Sequence, residues 1–174
     1  MSSRGPGSIP VAIARLGFDD AARAFSLLQD PALAGLIHSR EHIEDHGLAA
    51  ALAGVPDPGG ALLGLVRFME VVVRDAALRG PVTEALAAPG PARQRLLAVL
   101  GSSAAPGDHL RAHPHQWSAV TRAQPLTAQQ RIQRLVGAVS APEGAPAVDV
   151  LRTAYREQLL EIAALDLTSG DPLV

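Results

Sequence analysis

A chain with almost nothing from which to build a sheet has to bury its apolar residues on helices, and that is the strongest constraint on this one. Only 3% of its residues are aromatic, its β-branched runs are short, and no Asn-Gly or Asp-Gly pair marks a hairpin turn. Helix starts and stops recur instead. Asp19 and Asp20 follow Gly17-Phe18 and can cap a segment carrying Ala21, Ala24, Phe25 and Leu28. Pro31 stands where a second short helix can open, with Leu33, Leu36 and Ile37 on it. A third piece covers Glu41 to Ala53, and the run from Gly54 to Gly60, with two prolines in it, breaks it.

The most hydrophobic helix is expected from Ala61 to Leu78. Leu62, Leu65, Val66, Met69, Val72 and Val73 recur at spacings of three and four, and Arg67, Arg74 and Asp75 can face water. Val71-Val72-Val73 alone would suit a strand, but the surrounding periodicity is helical. Gly80-Pro81 is expected to stop this helix, and Pro81 and Pro91 each read as a first-turn proline opening a short helix. Gly101 is placed as a left-handed C-cap would be, with Ser102 or Ser103 capping the helix after it. That helix runs to about Ala112, before Pro114. Thr127 caps a helix from Ala128 to Val139 with a stripe of Ile132, Leu135, Val136 and Val139. After a loop from Ser140 to Pro146, the last helix runs from Val148 to about Leu167. On it Val148, Leu151, Tyr155, Leu159, Ile162 and Ala163 face one way, and Arg152, Arg156, Glu157 and Glu161 the other. Asp149 and Arg152 are partners one turn apart. The expectation is an all-α fold of about eight to ten mostly short helices, packed as an irregular antiparallel bundle or solenoid-like array. No fixed internal period marks a repeat protein.

Composition narrows the function. Hydrophobic residues at 48% against 18% charged argue for a buried core. A net charge of −2 supplies no global field for nucleic acid or anionic membrane. All 15 basic residues are arginine, and lysine and asparagine are absent, which reads as the codon bias of a GC-rich genome rather than as arginines chosen for bidentate recognition. Without cysteine, disulfides, thiolate metal sites and a cysteine nucleophile are excluded. The start of the chain has no apolar signal-peptide core, and Ala61 to Val73 is interrupted by Arg67 and Glu70 and too short to span a bilayer. The cytoplasm is the expected compartment.

One constellation invites a site: Asp108-His109-Leu110-Arg111-Ala112-His113-Pro114-His115. His109 and His113 can share a helix face as zinc ligands do, His115 can reach in from the loop, and Asp108 can orient one of them. Leu110, however, stands where the glutamate of a zinc-hydrolase helix would be, and Pro114 breaks the helix inside the supposed site. The structural reading, imidazoles and polar caps at a helix end, is therefore preferred. His38, His42 and His46 are spaced by four among Glu41, Glu44 and Asp45 and read as a solvated acidic face. Gly101-Ser102-Ser103 faintly matches a nucleotidyltransferase loop, but no Asp-x-Asp pair comes after it to hold magnesium. No lysine is present for a P-loop, and no Gly-x-Ser-x-Gly occurs. Trp117 and Tyr155 read as packing anchors. No catalytic, cofactor-binding or metal residue is assigned.

Four segments, in order, resemble one family. They are Arg15-Leu16-Gly17-Phe18-Asp19 through Ala24; Asp57-Pro58 with Ala61-Leu62-Leu63-Gly64-Leu65-Val66-Arg67; Leu96 to Ser103 with Gly107-Asp108-His109-Leu110, His113-Pro114 and Trp117; and Leu151-Arg152, Ala154-Tyr155-Arg156, Leu159-Leu160, Ile162-Ala163-Ala164 and Asp166-Leu167. The chain is similar in these to the amino-terminal helices of bifunctional glutamine synthetase adenylyltransferase/adenylyl-removing enzymes of GC-rich bacteria. The resemblance implies a long cytoplasmic enzyme with two nucleotidyltransferase domains. One transfers AMP from ATP to a glutamine synthetase tyrosine, the other removes it by phosphorolysis, and magnesium, glutamine and a PII signal protein take part. It also implies residues 1–12 as a flexible N-terminus, 13–168 as a helical segment preceding a nucleotidyltransferase domain whose motifs are not in this chain, and 169–174 as a truncated tail. On that reading the chain is a gene fragment, a frameshifted copy or a product of misassigned gene limits, and is inactive by itself. Two other functions stand beside it: a free-standing non-catalytic helical interaction module, and a zinc hydrolase built on His109, His113 and His115.

Overall fold

The computed structural model describes residues 13–37, 47–140 and 147–169. The stretches read as a flexible start and, from Gly170 on, as a tail lie outside the described residues, as do His38, His42 and His46 and most of the loop before the last helix. Among the described residues the fold is all-α. In chain order the helices are α1 (Ala21–Leu28), α2 (Gly47–Ala53), α3 (Pro58–Val72), α4 (Ala76–Ala87), α5 (Pro91–Ser102), α6 (Ala104–Ala112), α7 (Trp117–Thr121), α8 (Ala128–Ser140) and α9 (Ala147–Asp166), with single 3-10 turns at Pro31–Leu33 and Pro114–Gln116. No helix among the described residues is long and apolar enough to cross a membrane.

Aspartates start many of these elements. The Oδ1 of Asp20, Asp30, Asp57 and Asp75 accepts from the backbone N–H of Arg23, Ala32, Gly60 and Ala77, at 2.8–2.9 Å. Each supplies a partner for an amide that the helix itself leaves unpaired, a contribution of about 1 kcal/mol. Thr127 and Gln130 form a reciprocal capping box at the start of α8: the Thr127 N–H donates to Oε1 of Gln130 at 2.9 Å, and the Gln130 N–H donates to Oγ1 of Thr127 at 3.3 Å. Gly17 takes a left-handed φ of 85°, which turns Phe18 into the core directly after the first helical residues.

The core centres on α3 and α5. Leu62, Leu65, Val66, Phe68, Met69 and Val72 of α3 are all buried. In α5 the unbroken run Leu96 to Leu100 is buried on every side, because α3, α4, α6, α7 and α9 all pack around it. Two glycines let α3 and α5 approach this closely. A Cβ on Gly64 would lie 3.0 Å from the Leu100 carbonyl oxygen, and one on Gly101 would lie 2.9 Å from the Ala61 Cβ and 3.1 Å from the Asp57 carbonyl oxygen.

Here the structure corrects two expectations. Gly101 is not a left-handed cap: it is helical, α5 continues through it to Ser102, and its value is the missing side chain at a helix crossing. The helix from Ala61 does not run to Leu78 or stop at Gly80-Pro81. It ends at Val72, where Asp75 captures the Ala77 amide and starts α4 afresh. Pro81 therefore sits inside α4, where its missing N–H leaves the Ala77 carbonyl without its helical donor. Burial of Leu78, Val82 and Leu86 on the core side offsets that loss. Arg79 secures the break by donating from Nε (3.1 Å) and Nη2 to the Val73 carbonyl.

Candidate functional site

The chain's last two helices carry the feature with most functional content. Glu161, in the middle of α9, is only 2% exposed. Its carboxylate accepts from Nη1 of Arg122, from Nη2 of Arg131 at 3.0 Å, and from the Leu126 backbone N–H at 2.7 Å. Next to it the Gln158 side-chain amide donates to the Arg131 carbonyl at 2.8 Å, and Arg134 pairs with Glu157 at 3.5 Å. Arg122 is itself held by its carbonyl, which accepts from Nη1 of Arg95 on α5 at 2.7 Å. A buried carboxylate is tolerated only with such company, and here two guanidiniums and an amide supply it.

This network sets the rotation of α9 about its own axis. Glu161, read from sequence as part of the outward polar face, points in, together with Gln158, Leu160 and Ala164. The apolar stripe points out. Val148, Leu151, Tyr155, Leu159 and Ile162 are between 40% and 58% exposed, and on α8 Ile132, Val136 and Val139 are between 45% and 61% exposed. Tyr155 is thus no packing anchor among the described residues, whereas Trp117 does pack against the core.

The two stripes lie on one side of the helix pair. The contacts Arg131–Glu161 and Arg134–Glu157 run in opposite chain directions, so α8 and α9 are antiparallel. At 100° per residue, Leu151, Tyr155, Leu159 and Ile162 lie one way round from the seam on α9. Ile132, Val136 and Val139 lie the same way round on α8, and in antiparallel helices equal rotations from the seam reach the same side. Eight large side chains exposed by about half leave on the order of 600 Å² bare, the upper end of what a monomer's largest apolar patch reaches.

A groove of about 550 Å³ continues this face between α6 and α9. Its walls are Ala105, Pro106 and Ala112 on one side and Leu159, Leu160 and Ala163 on the other, with Asp108, His109, His113 and Arg156 among them. His109 is buried, and its Nε2 is 2.7 Å from Oε1 of Gln116. Burial holds its pKa below the usual histidine value, and the nearby His113 and Arg156 charges push the same way against the Gln116 hydrogen bond. Burial thus favours the neutral imidazole, whose Nε2–H can donate to the Gln116 oxygen. The His113 ring lies 4.7 Å from it, centre to centre.

The sequence-flagged histidines thus part company. His109 and His113 come together, while His115 turns to Asp75, its Nε2 3.3 Å from Oδ2. Among the described residues no group of three or more His, Cys, Asp or Glu side chains could hold a metal ion. The check is direct: the purified chain, dialysed and analysed for metals, is expected to hold far less than one zinc per molecule. One tightly held equivalent, lost in His113→Ala, would reinstate the zinc-hydrolase alternative.

Gly101 and Ser102 belong to α5 rather than to a loop. Gly101 is pressed against Ala61, and the Ser102 hydroxyl donates to the Val99 carbonyl at 2.8 Å. Sequence reasoning missed the Glu161 network because Arg122, Arg131 and Glu161 are far apart in the chain and each alone resembles a solvated surface charge.

No protein-family model matches the chain. Curated proteins do. It is 39% identical over 154 residues to the bifunctional glutamine synthetase adenylyltransferase/adenylyl-removing enzyme of Streptomyces avermitilis, covering 88% of this chain and 14% of that protein. The same-named enzyme of Streptomyces coelicolor is 38% identical over 155 residues, again 88% and 14%. That of Mycobacterium avium is 38% identical over 161 residues, 90% of this chain and 15% of its own length. The chain thus spans about one seventh of the length of these relatives. No solved structure matches it.

Proposed function

We propose that this chain, a member of the bifunctional glutamine synthetase adenylyltransferase/adenylyl-removing enzyme family that matches one portion of its relatives, is a non-catalytic scaffold segment at the amino-terminal side of such an enzyme. The assembled enzyme would attach AMP to glutamine synthetase and remove it again, regulating nitrogen assimilation. This segment would contribute a rigid helical platform. The observation that carries the reading is the apolar face of α8 and α9, held outward by the buried Glu161 network. A stripe this wide is costly in water and gains by being covered.

ATP and magnesium belong, on this proposal, to the rest of the enzyme. What supports this is that Gly101 and Ser102 of the one Gly-Ser-Ser run are helical and engaged in helix packing. Glutamine synthetase is the protein that the assembled enzyme would act on, and PII the signal protein that would regulate it, both in the cytoplasm.

Two measurements test the proposal. With ATP, magnesium and phosphate supplied, the isolated chain is expected to show neither transfer to glutamine synthetase nor removal from it, since no group of side chains among the described residues is placed to hold a metal that would stabilise charge on the transferring phosphoryl group. In the Streptomyces coelicolor enzyme, deletion of the matching stretch is expected to abolish both activities, and grafting this chain's residues 12–168 in its place is expected to restore them. Turnover by the isolated chain, or a deletion enzyme that stays soluble and fully active, would overturn the scaffold reading.

A further inference from the structure

Among the described residues His109 is the one histidine whose ring is buried, and it forms part of the α6 wall of the groove. Its bond to Gln116 ties α6 to the 3-10 turn at Pro114–Gln116. Trp117, the chain's only tryptophan, follows that turn directly and packs against the core. Two basic groups bear on the His109 ring: His113, one turn further on, and Arg156, across the groove on α9. Glu157 acts in the opposite sense, but it is paired with Arg134. The remaining charges on the elements packed around α6 are engaged elsewhere. Asp108 faces Arg111 at 3.8 Å and His115 faces Asp75 at 3.3 Å. On α5, Arg93 and Arg95 donate to the carbonyls of Ala87 and Arg122. On α3, Arg67 lines a separate crevice with Arg111, and Glu70 is exposed.

We propose that this groove is a proton-operated joint: it is closed while the His109 imidazole is neutral, and protonation, by setting a positive charge against His113 and Arg156, drives α6 and the 3-10 turn away from α9. The joint lies on the weakly held side of α9. On the other flank Glu161 ties that helix to Arg122, Arg131 and the Leu126 N–H, whereas no hydrogen bond or ion pair crosses the groove among the described residues. An imidazolium in this wall lacks both water and a free carboxylate, and opening the seam supplies the water. The sign follows from linkage. Burial first, then the His113 and Arg156 charges, hold the His109 pKa below its ordinary value of about 6.5, against the Gln116 bond and Glu157. The closed form therefore binds fewer protons than the open one, and lowering the pH below about 6.5 favours opening. Leu160, buried in the α9 wall, becomes accessible when the groove opens, so acid enlarges the apolar surface of α9.

Trp117 supplies the readout, because it adjoins the Gln116 that holds His109. In the full 174-residue chain its emission is expected to shift to the red as the pH is lowered from about 7.5 to about 5.5. His109→Gln, which cannot take up the proton, is expected to abolish the shift. His115→Gln, at an exposed ring turned toward Asp75, is expected to leave it in place. In proton NMR the assigned His109 ring signals are expected to titrate with a midpoint below about 6.5. Arg156→Glu replaces a repelling charge by an attracting one on an exposed side chain. It should raise that midpoint and shrink the emission shift, and it decides the question by itself if His109→Gln fails to fold. A shift that survives His109→Gln, a His109 midpoint at or above about 6.5, or a midpoint unmoved by Arg156→Glu would overturn the proposal. None of these readouts involves modification of glutamine synthetase, so this inference and the scaffold reading fail separately.

Discussion

Glu161→Ala is expected to destabilise the chain by about 2–4 kcal/mol in urea unfolding followed by circular dichroism. Removing one partner of a buried ion pair typically costs ~3–5 kcal/mol, and the lower range applies because both arginines keep some contact with water. The loss should be local first. α8 is held against α9 largely through Arg131, Arg134 and Gln158, so amide hydrogen exchange in Ala128–Ser140 should rise before that in α3 or α5. Glu161→Gln keeps an acceptor for the Leu126 N–H and should cost less, about 1–2 kcal/mol. Replacing Glu161 and Arg131 together by leucine and methionine should recover part of the loss, since apolar groups of similar size can substitute for a buried pair. A Glu161→Ala change below about 0.5 kcal/mol, the range of ordinary surface substitutions, would mean that the network does not set the orientation of α9.

The second large effect concerns the bare face itself. The isolated chain is expected to bind 8-anilinonaphthalenesulfonate and to self-associate at high concentration in sedimentation velocity. Full burial of a Leu or Ile side chain contributes roughly 1.5–3 kcal/mol, and the eight side chains here stay about half exposed. Leu159→Glu places a charge where the stripe and the groove meet. It should weaken association by about tenfold or more, equivalent to ~1.4 kcal/mol, and lower dye emission in step. A clean monomer that binds no dye would mean that the face is covered within the chain, and the free-standing interaction module would then be the better reading.

Much of the fold was legible because its signals are local. Asp20 and Thr127 cap helices by bonding to amides three residues away, so the residue types and their spacing suffice to locate those starts. The spacing of Leu62, Leu65, Val66 and Met69 marks a core helix for the same reason, as 3.6 residues per turn is a property of the backbone. The errors arose where two local signals competed. Pro81 reads as a helix opener until Asp75 is seen to have started α4 already. Gly101 reads as a cap until α3 is known to lie against it.

What the sequence by itself determined, then, is that the chain is helical, where most helices begin, and which residues form the apolar stripes on the last two. It could not determine which side of α9 faces the core. Amphipathicity alone turns Leu151, Tyr155, Leu159 and Ile162 inward and Glu161 outward, and the structure has the reverse. That choice is tertiary. Arg122 and Arg131, 39 and 30 residues before Glu161, converge with the Leu126 N–H on a single carboxylate, and three charge-assisted hydrogen bonds in a water-poor setting outweigh the burial of a few half-exposed side chains. Only the folded chain brings those donors together, so only the folded chain decides that its apolar face is left for something else to cover.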